Sequence, residues 1–123
     1  MSGPLQGVRV IDTTTMVSGP LATMMLADQG ADVIKVESPA GDHSRQVATR
    51  RNGFSASFVN NNRNKRSVVL DLKRPGGVAA LKRLAAGADV FIQNFRPGVA
   101  EKLGIGETDI RAANPEIVYA SIS

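Results

Sequence analysis

The sequence contains 123 residues, 42% hydrophobic and 21% charged, which is typical of one soluble globular domain. The absence of cysteine excludes disulfides, thiolate metal ligands and a cysteine nucleophile. No stretch approaches the roughly 18 apolar residues of a membrane span, and no signal-peptide pattern is present, so we expect a cytoplasmic protein. The net charge is +4, but the segment His43–Leu70 carries six Arg or Lys and no acid. Such a run indicates either a solvated basic loop or an anion site.

The first third of the chain is predicted to form a βαβ unit. Val8–Asp12 is a short β-rich run, and Ser18 is expected to cap a helix over Leu21–Gln29. Gly30 fits the left-handed position just past that helix, and Ala31–Glu37 follows as the second strand. We therefore expect two parallel strands joined by a right-handed crossover.

Residues 38–67 show no strong hydrophobic period. Loops of this length inside a compact domain are usually functional. Within the segment, Ser57–Val59 is compatible with a short helical or extended piece. The segment is therefore predicted to be a functional loop.

Strands and helices alternate in the rest of the chain. This alternation predicts an α/β fold: a Rossmann-like, open, mostly parallel sheet with helices on both faces. Ligands of such sheets bind outside the carboxyl ends of the strands. The further predicted strands are Ser67–Leu72, Asp89–Gln93 and Ile117–Ile122, and the further predicted helices are Val78–Ala86, Val99–Leu103 and Thr108–Ala113, the last capped by Thr108.

Two turns at strand ends are candidates for ligand contact. Residues 13–20 match neither the dinucleotide-binding glycine pattern nor a P-loop, although the helix start after them offers N–H groups to an anion. In the turn Asn94–Gly98, Asn94 can bond a ligand, Phe95 can stack on it, and Arg96 or Lys102 can reach phosphates. Each turn is equally compatible with an ordinary structural role. His43, the only histidine, has neither triad nor metal-ligand spacing, and we expect no metal site and no catalytic group in the chain.

Several motifs, taken together, carry a family resemblance. They are Pro4–Asp12, Gly19-Pro20, Gly30–Glu37, Gly41-Asp42, Asn62–Lys73 and Asn94–Gly98. In this order they resemble the amino-terminal part of the family III CoA-transferases, the formyl-CoA and carnitine CoA-transferase type that includes α-methylacyl-CoA racemases. The resemblance implies that residues 1–123 are a CoA-binding domain, the amino-terminal part of a longer chain whose two subunits interlock as a homodimer.

The resemblance also implies where coenzyme A lies. The turn formed by Met16, Val17 and Ser18 is expected to approach the pantetheine and thioester end. The adenosine and phosphate end is expected to contact Ser38, Leu70, Asp71, Leu72, Lys73, Asn94, Phe95, Arg96 and Lys102. Whether Arg63, Lys65 and Arg66 bind phosphate, or hold the loop or the dimer, stays open.

Two positions depart from the formyl-CoA transferase pattern. Val17 stands where those members carry glutamine, which argues against formyl or oxalyl specificity. Ser38 stands where they carry arginine, which implies a different adenine or phosphate contact. The family's catalytic aspartate lies beyond Ser123, so the segment alone is expected to be inactive. The sequence also stops directly after an apolar strand, and we therefore expect it to be cut from a longer chain.

Three functions remain in view. The first is CoA transfer between an acyl-CoA and a carboxylic acid through an aspartyl intermediate on the missing part. The second is acyl-CoA racemisation by a downstream His/Asp pair. The third is a basic nucleic-acid-binding module, which the aromatic content of 4% disfavours because bases would find few stacking platforms. We expect neither a nucleic-acid nor a membrane partner.

Overall fold

A five-stranded parallel sheet forms the centre of the computed structural model, which describes residues 2–47 and 49–123. Five strands form this sheet: β1 (Arg9–Asp12), β2 (Asp32–Glu37), β5 (Arg66–Val69), β6 (Val90–Gln93) and β7 (Val118–Ser121). Two short strands, β3 (Arg50–Arg51) and β4 (Phe54–Ser55), lie outside it. The helices are α1 (Ser18–Asp28), α2 (Ala56–Asn61), α3 (Pro75–Ala86), α4 (Val99–Lys102) and α5 (Glu107–Ala113), with a 3₁₀ turn at His43–Gln46. None of the helices in this described part combines the length and the apolar character needed to cross a bilayer.

Alternate residues of the central strands enter cores on opposite faces of the sheet. Ile11 and Phe91 lie in one core with Leu81 of α3, whereas Val10 lies in the other with Ala27 of α1. A strand buried on both faces needs apolar residues at successive positions, as the runs in β1, β2 and β6 show. The predicted α/β fold with helices on both faces is confirmed.

The strand order places a crevice next to β1. The sheet runs β5-β2-β1-β6-β7, and all its neighbours are parallel. The chain proceeds outward from β1 through β2 to β5, then returns to β6 on the other side of β1. The loops that leave β1 and β6 therefore diverge, which opens a ligand crevice at the carboxyl ends of these strands.

Several predicted boundaries need correction. Helix α3 begins at Pro75 rather than at Val78. Ser18 is the first residue of α1 rather than its cap, since Val17 precedes the helix without a side-chain bond. Thr108 lies inside α5. Gly106 occupies the N-cap position instead, and its N–H donates to the Asp109 carboxylate at 3.2 Å. Strand β5 ends at Val69, because the chain then turns toward α3.

The described residues of the segment 38–67 form a structured loop, and the last two of them belong to β5. The pair β3 and β4 forms a short antiparallel hairpin apart from the main sheet, and helix α2 follows it directly. Ser55 caps α2 by accepting the Phe58 N–H at 2.9 Å. The helical alternative for Ser57–Val59 is therefore the correct one, within a longer helix.

Candidate ligand-binding site

A cleft of about 580 Å³ lies at the carboxyl ends of the strands. The loops after β1, β2, β5 and β6 all contribute to its walls, and a volume of this size suits a small-molecule ligand. We call it the ligand cleft. Its lining includes Thr13, Thr15, Ser38, Pro39, Gly41, His43, Asp71, Leu72, Lys73, Phe95, Val99 and Leu103.

A second hollow, of about 480 Å³, adjoins the ligand cleft and shares Leu72, Lys73 and Leu103 with it. We call this second hollow the notch, and its lining includes Lys73, Lys82 and Lys102. Among the described residues no carboxylate pairs with any of these three, which we call the cleft lysines. Their charge is therefore available to an anionic ligand.

The residues expected from sequence to contact the ligand fall into two groups. Ser38, Asp71, Leu72, Lys73 and Phe95 line the ligand cleft, and Lys102 lines the notch. The other group lines neither hollow and comprises Met16, Val17, Ser18, Leu70, Asn94 and Arg96. Contact with a ligand stays a prediction for both groups.

The turn between β1 and α1 is tied to the loop after β6 by a reciprocal pair of bonds. The Thr15 N–H donates to Asn94 Oδ1 at 3.1 Å, and Asn94 Nδ2 donates to the Thr15 carbonyl oxygen at 2.8 Å. Both the oxygen and the nitrogen of the Asn94 amide thus bond the backbone of Thr15. Asn94 consequently positions Thr15, which lines the ligand cleft, and brings Phe95 to the same wall.

Met16 takes a backbone conformation that side chains rarely adopt. Its φ is +74°, in the left-handed region that favours glycine. Met16 is 37% exposed and Val17 is 51% exposed. Conformations of this kind persist where surrounding structure enforces them, and they cluster at ligand sites. The turn that we expect at the thioester end therefore carries local strain and presents two apolar side chains to solvent.

Two ion pairs are buried behind this turn. Lys35 Nζ lies 2.8 Å from Asp42 Oδ2, and Lys65 Nζ lies 2.9 Å from Asp12 Oδ2. No side chain of the four is more than 2% exposed. Burial lowers the pKa of Lys65, since the loss of hydration outweighs the attraction of Asp12. Lys65 also donates to the Pro20 carbonyl oxygen at 3.0 Å, so the pair joins β1, α1 and the end of the long loop.

Further bonds stabilise Asp42 as a carboxylate. Burial by itself raises the pKa of an acid. At Asp42 the bonds from Lys35 and from the N–H groups of Ser44 and Met16 outweigh burial, and the pKa lies below its ordinary value. Every buried side-chain nitrogen or oxygen in the described part of the chain has a hydrogen-bond partner, so this polar cluster is fully satisfied.

The cations at residues 62–66, the basic run, are all paired with acids. Besides Lys65 in its buried pair, Arg63 lies 2.7 Å from Asp28 on α1, and Arg66 lies 2.8 Å from Asp32 on β2. The Arg63 hydrogen bond lowers the pKa of Asp28. These contacts fasten the long loop to the sheet and to α1. They favour the structural role over direct phosphate binding, the question that the sequence left open.

The buried cluster is the feature that sequence reasoning missed. The one available signal was Lys35 itself, a charged residue inside the buried strand Val33–Glu37. A lysine at such a position requires a partner. The partner, Asp42, lies in a loop without local pattern, so its identity could not be read from spacing. Within residues 2–47 and 49–123, no three His, Asp or Glu side chains assemble into a metal-binding group.

Comparison with known proteins covers nearly the whole chain. The sequence profile described as CoA-transferase family III matches residues 5–123. The mouse succinyl-CoA:glutarate CoA-transferase is 47% identical over 122 residues, which are 98% of this chain and 28% of that protein. The formyl-CoA:oxalate CoA-transferase of Afipia carboxidovorans is 44% identical over 124 residues, 99% of this chain and 29% of that protein.

A solved structure shows the same fold. The CAIB/BAIF family protein from Brucella suis superimposes with a TM-score of 0.93 at 38% identity, over 100% of this chain and 34% of that protein. The chain thus spans about a third of the length of the relatives that it matches.

Proposed function

Because the chain belongs to CoA-transferase family III, we propose that residues 1–123 are the CoA-binding part of a protein that moves CoA between an acyl-CoA and a carboxylic acid. The two curated relatives described above are CoA-transferases by name. Their names favour transfer over the racemase alternative.

The observation that carries the proposal is the group of unpaired cleft lysines beside a small-molecule cleft. Coenzyme A carries three phosphate groups at its nucleotide end and an uncharged pantetheine arm at the other. We place the phosphates near Lys73, Lys82 and Lys102, where charge-assisted bonds can form without first breaking an ion pair. The arm then runs along the ligand cleft past Thr15 toward the turn at Met16–Ser18.

Particular side chains have distinct proposed tasks. Phe95 lines the ligand cleft and offers an aromatic face to the adenine ring. Ser38 lines the cleft with a short side chain, so the lysines supply the cationic contacts. Val17 replaces the glutamine of formyl-CoA transferase-like members, and we infer an acyl group other than formyl or oxalyl.

Calorimetric titration of the full-length protein with CoA and with 3′-dephospho-CoA tests the assignment. We expect CoA to bind more tightly than 3′-dephospho-CoA, and the difference to shrink as salt is raised, because salt screens exposed charges. Absence of CoA binding, or binding that ignores both the 3′-phosphate and salt, would overturn the proposal.

The chemistry itself is proposed to lie outside this segment. We propose no catalytic group among residues 1–123, and an aspartate elsewhere in the full protein as the nucleophile. The segment alone is then inactive, whereas the complete protein acts as an interlocked homodimer in the cytoplasm. Exchange of solvent deuterium at the α-carbon of an acyl-CoA, without transfer of CoA, would instead establish the racemase.

A nucleic-acid role has lost its main support. The cationic segment His43–Leu70 was the sequence feature that suggested it, and four of its six cations, Arg45, Arg63, Lys65 and Arg66, are paired with acids of the same chain. A salt-dependent gel shift on nucleic acid would revive this alternative.

A further inference from the structure

The two oxygens of the Asp42 carboxylate have different partners. Oδ2 accepts from Lys35 Nζ at 2.8 Å. Oδ1 accepts the Met16 N–H at 3.0 Å and the Ser44 N–H at 2.9 Å. The bond to Ser44 is a local cap of the 3₁₀ turn. The bond to Met16 spans 26 residues and links the long loop to the turn after β1.

Lys35 contacts the same turn from the other direction. Its ammonium donates to the Thr14 carbonyl oxygen at 3.1 Å as well as to Asp42. The ion pair therefore bonds the backbone on both sides of Thr15, which is itself bonded to Asn94. Three consecutive residues of the turn are thus held by side chains from β2, from the loop after β2 and from the loop after β6.

The left-handed conformation of Met16 requires a contact that stabilises it. A left-handed conformation is unfavourable for a non-glycine residue, because Cβ then crowds the following carbonyl oxygen. Met16 is 37% exposed, so close packing around it does not account for the conformation. The N–H bond to Asp42 ties the Met16 backbone directly to the long loop.

From these contacts we infer that Asp42 is a positioning residue, which sets the turn at Met16–Ser18 and thereby the place of the pantetheine and thioester end of the ligand. The inference rests on the proposed function. The side chains of Asp42 and of its counter-ion Lys35 are at most 1% exposed, so neither contacts the ligand. Asp42 acts through the backbone N–H of Met16.

Two double variants separate positioning from a purely structural role. Lys35→Met with Asp42→Asn removes both charges but leaves an amide oxygen that accepts the Met16 N–H. Lys35→Met with Asp42→Ala removes the charges and that acceptor. Buried ion pairs often tolerate neutral replacement, so we expect the first variant to fold. Should the alanine variant not fold, Asp42→Leu takes its place, because leucine fills the space and also lacks the acceptor.

The experiment measures two ligands and one amide in the full-length protein. CoA is compared with adenosine 3′-phosphate 5′-diphosphate, which lacks the pantetheine arm. In the alanine variant we expect unchanged affinity for the nucleotide and about tenfold weaker CoA binding, equivalent to about 1.4 kcal/mol. In the asparagine variant both affinities stay near wild type. Hydrogen exchange at the Met16 amide should be slow in the wild type and the asparagine variant, and fast in the alanine variant.

The outcomes distinguish this inference from the proposed function. A wild type that binds neither ligand contradicts the proposed function, while Met16 exchange still reports on the turn. Equal losses for CoA and the nucleotide, or identical behaviour of the alanine and asparagine variants, would overturn the positioning role.

Discussion

The basic run and the cleft lysines carry the same kind of charge but stand in opposite surroundings. Each cation of the basic run has a carboxylate oxygen within 2.9 Å. The cleft lysines have no such partner in the part of the chain that the structure describes. A cation already neutralised has little to offer a phosphate, so the positive charge available to a ligand lies where the sequence is less conspicuously basic.

The difference arises from acids that are distant in sequence. The partners of Lys65, Arg63 and Arg66 precede them by 53, 35 and 34 residues, and are Asp12, Asp28 and Asp32 respectively. The fold brings them under the run through β1, α1 and β2. Clustering of charge along a chain therefore indicates where cations are dense, whereas the fold decides which of them are free.

The largest expected effect is on Lys65, the buried member of the basic run. Lys65→Met leaves Asp12 buried without its cation, and we expect the free energy of unfolding to fall by about 3–5 kcal/mol. Urea denaturation measures it. The control is Lys82→Met at a cleft lysine, expected to change stability by less than about 0.5 kcal/mol. A Lys65→Met protein with wild-type stability but weaker CoA affinity would contradict the structural role of Lys65 and indicate a role in ligand binding.

Acid should weaken the attachment of the basic run. Burial opposes ionisation of Asp32, but hydrogen bonds from Arg66 and Arg9 outweigh it and lower its pKa, and the pKa of Asp28 is also lowered. Their contribution to stability is thus complete above the ordinary value of 3.8 and is lost as the pH falls through the lowered values. Unfolding followed by circular dichroism between about pH 2 and 7 should show this loss. Asp32→Asn should flatten the curve, and an unaltered curve would contradict the assignment.

Removal of two cleft lysines should affect binding rather than stability. Lys73→Ala combined with Lys102→Ala is expected to weaken CoA binding about thirtyfold, since each substitution removes an exposed charge-assisted contact of about 1 kcal/mol and about 2 kcal/mol in total corresponds to that factor. Calorimetry measures the affinity, and denaturation should show stability within about 0.5 kcal/mol of wild type. Arg83→Ala is the matched control, because Arg83 lies on α3 but lines neither hollow. Equal losses in the control would remove the cleft lysines from the site.

The smallest effect is expected at Arg66, an exposed member of the basic run. In Arg66→Ala the partner Asp32 keeps Arg9 at 3.0 Å, so the cost should stay below about 1 kcal/mol. We expect unchanged CoA affinity in the full-length protein. Weaker CoA binding at wild-type stability would make Arg66 a ligand contact after all.

The fold could be predicted from local sequence pattern, and the errors of that prediction lie at the ends of helices and strands. Alternating apolar strands and amphipathic helices depend on neighbours in sequence, so the five strands of the main sheet were predictable. Helix starts depend on the bonds actually made. The sequence suggested Ser18 and Thr108 as caps, but Val17 and Gly106 occupy those positions.

The sequence predicted which loops line the site, but not the buried polar contacts that hold those loops. Parallel strands place their carboxyl ends together, so the loops that hold Ser38, Lys73 and Phe95 were expected to meet, and they line one cleft. The bond from Asp42 to Met16 had no such rule behind it. Long-range pairing of buried polar groups leaves no period in a sequence, and only the folded chain reveals it.

The Lys65–Asp12 pair has a consequence for how the chain is made. Synthesis proceeds from the amino terminus, so β1, α1 and β2 leave the ribosome before Lys65 emerges from it. A nascent chain that packed these elements fully would bury Asp12 without the cation that lies 2.9 Å from it in the finished protein. We therefore expect that the first βαβ unit does not fold autonomously during translation and that its final packing waits until residue 65 has emerged.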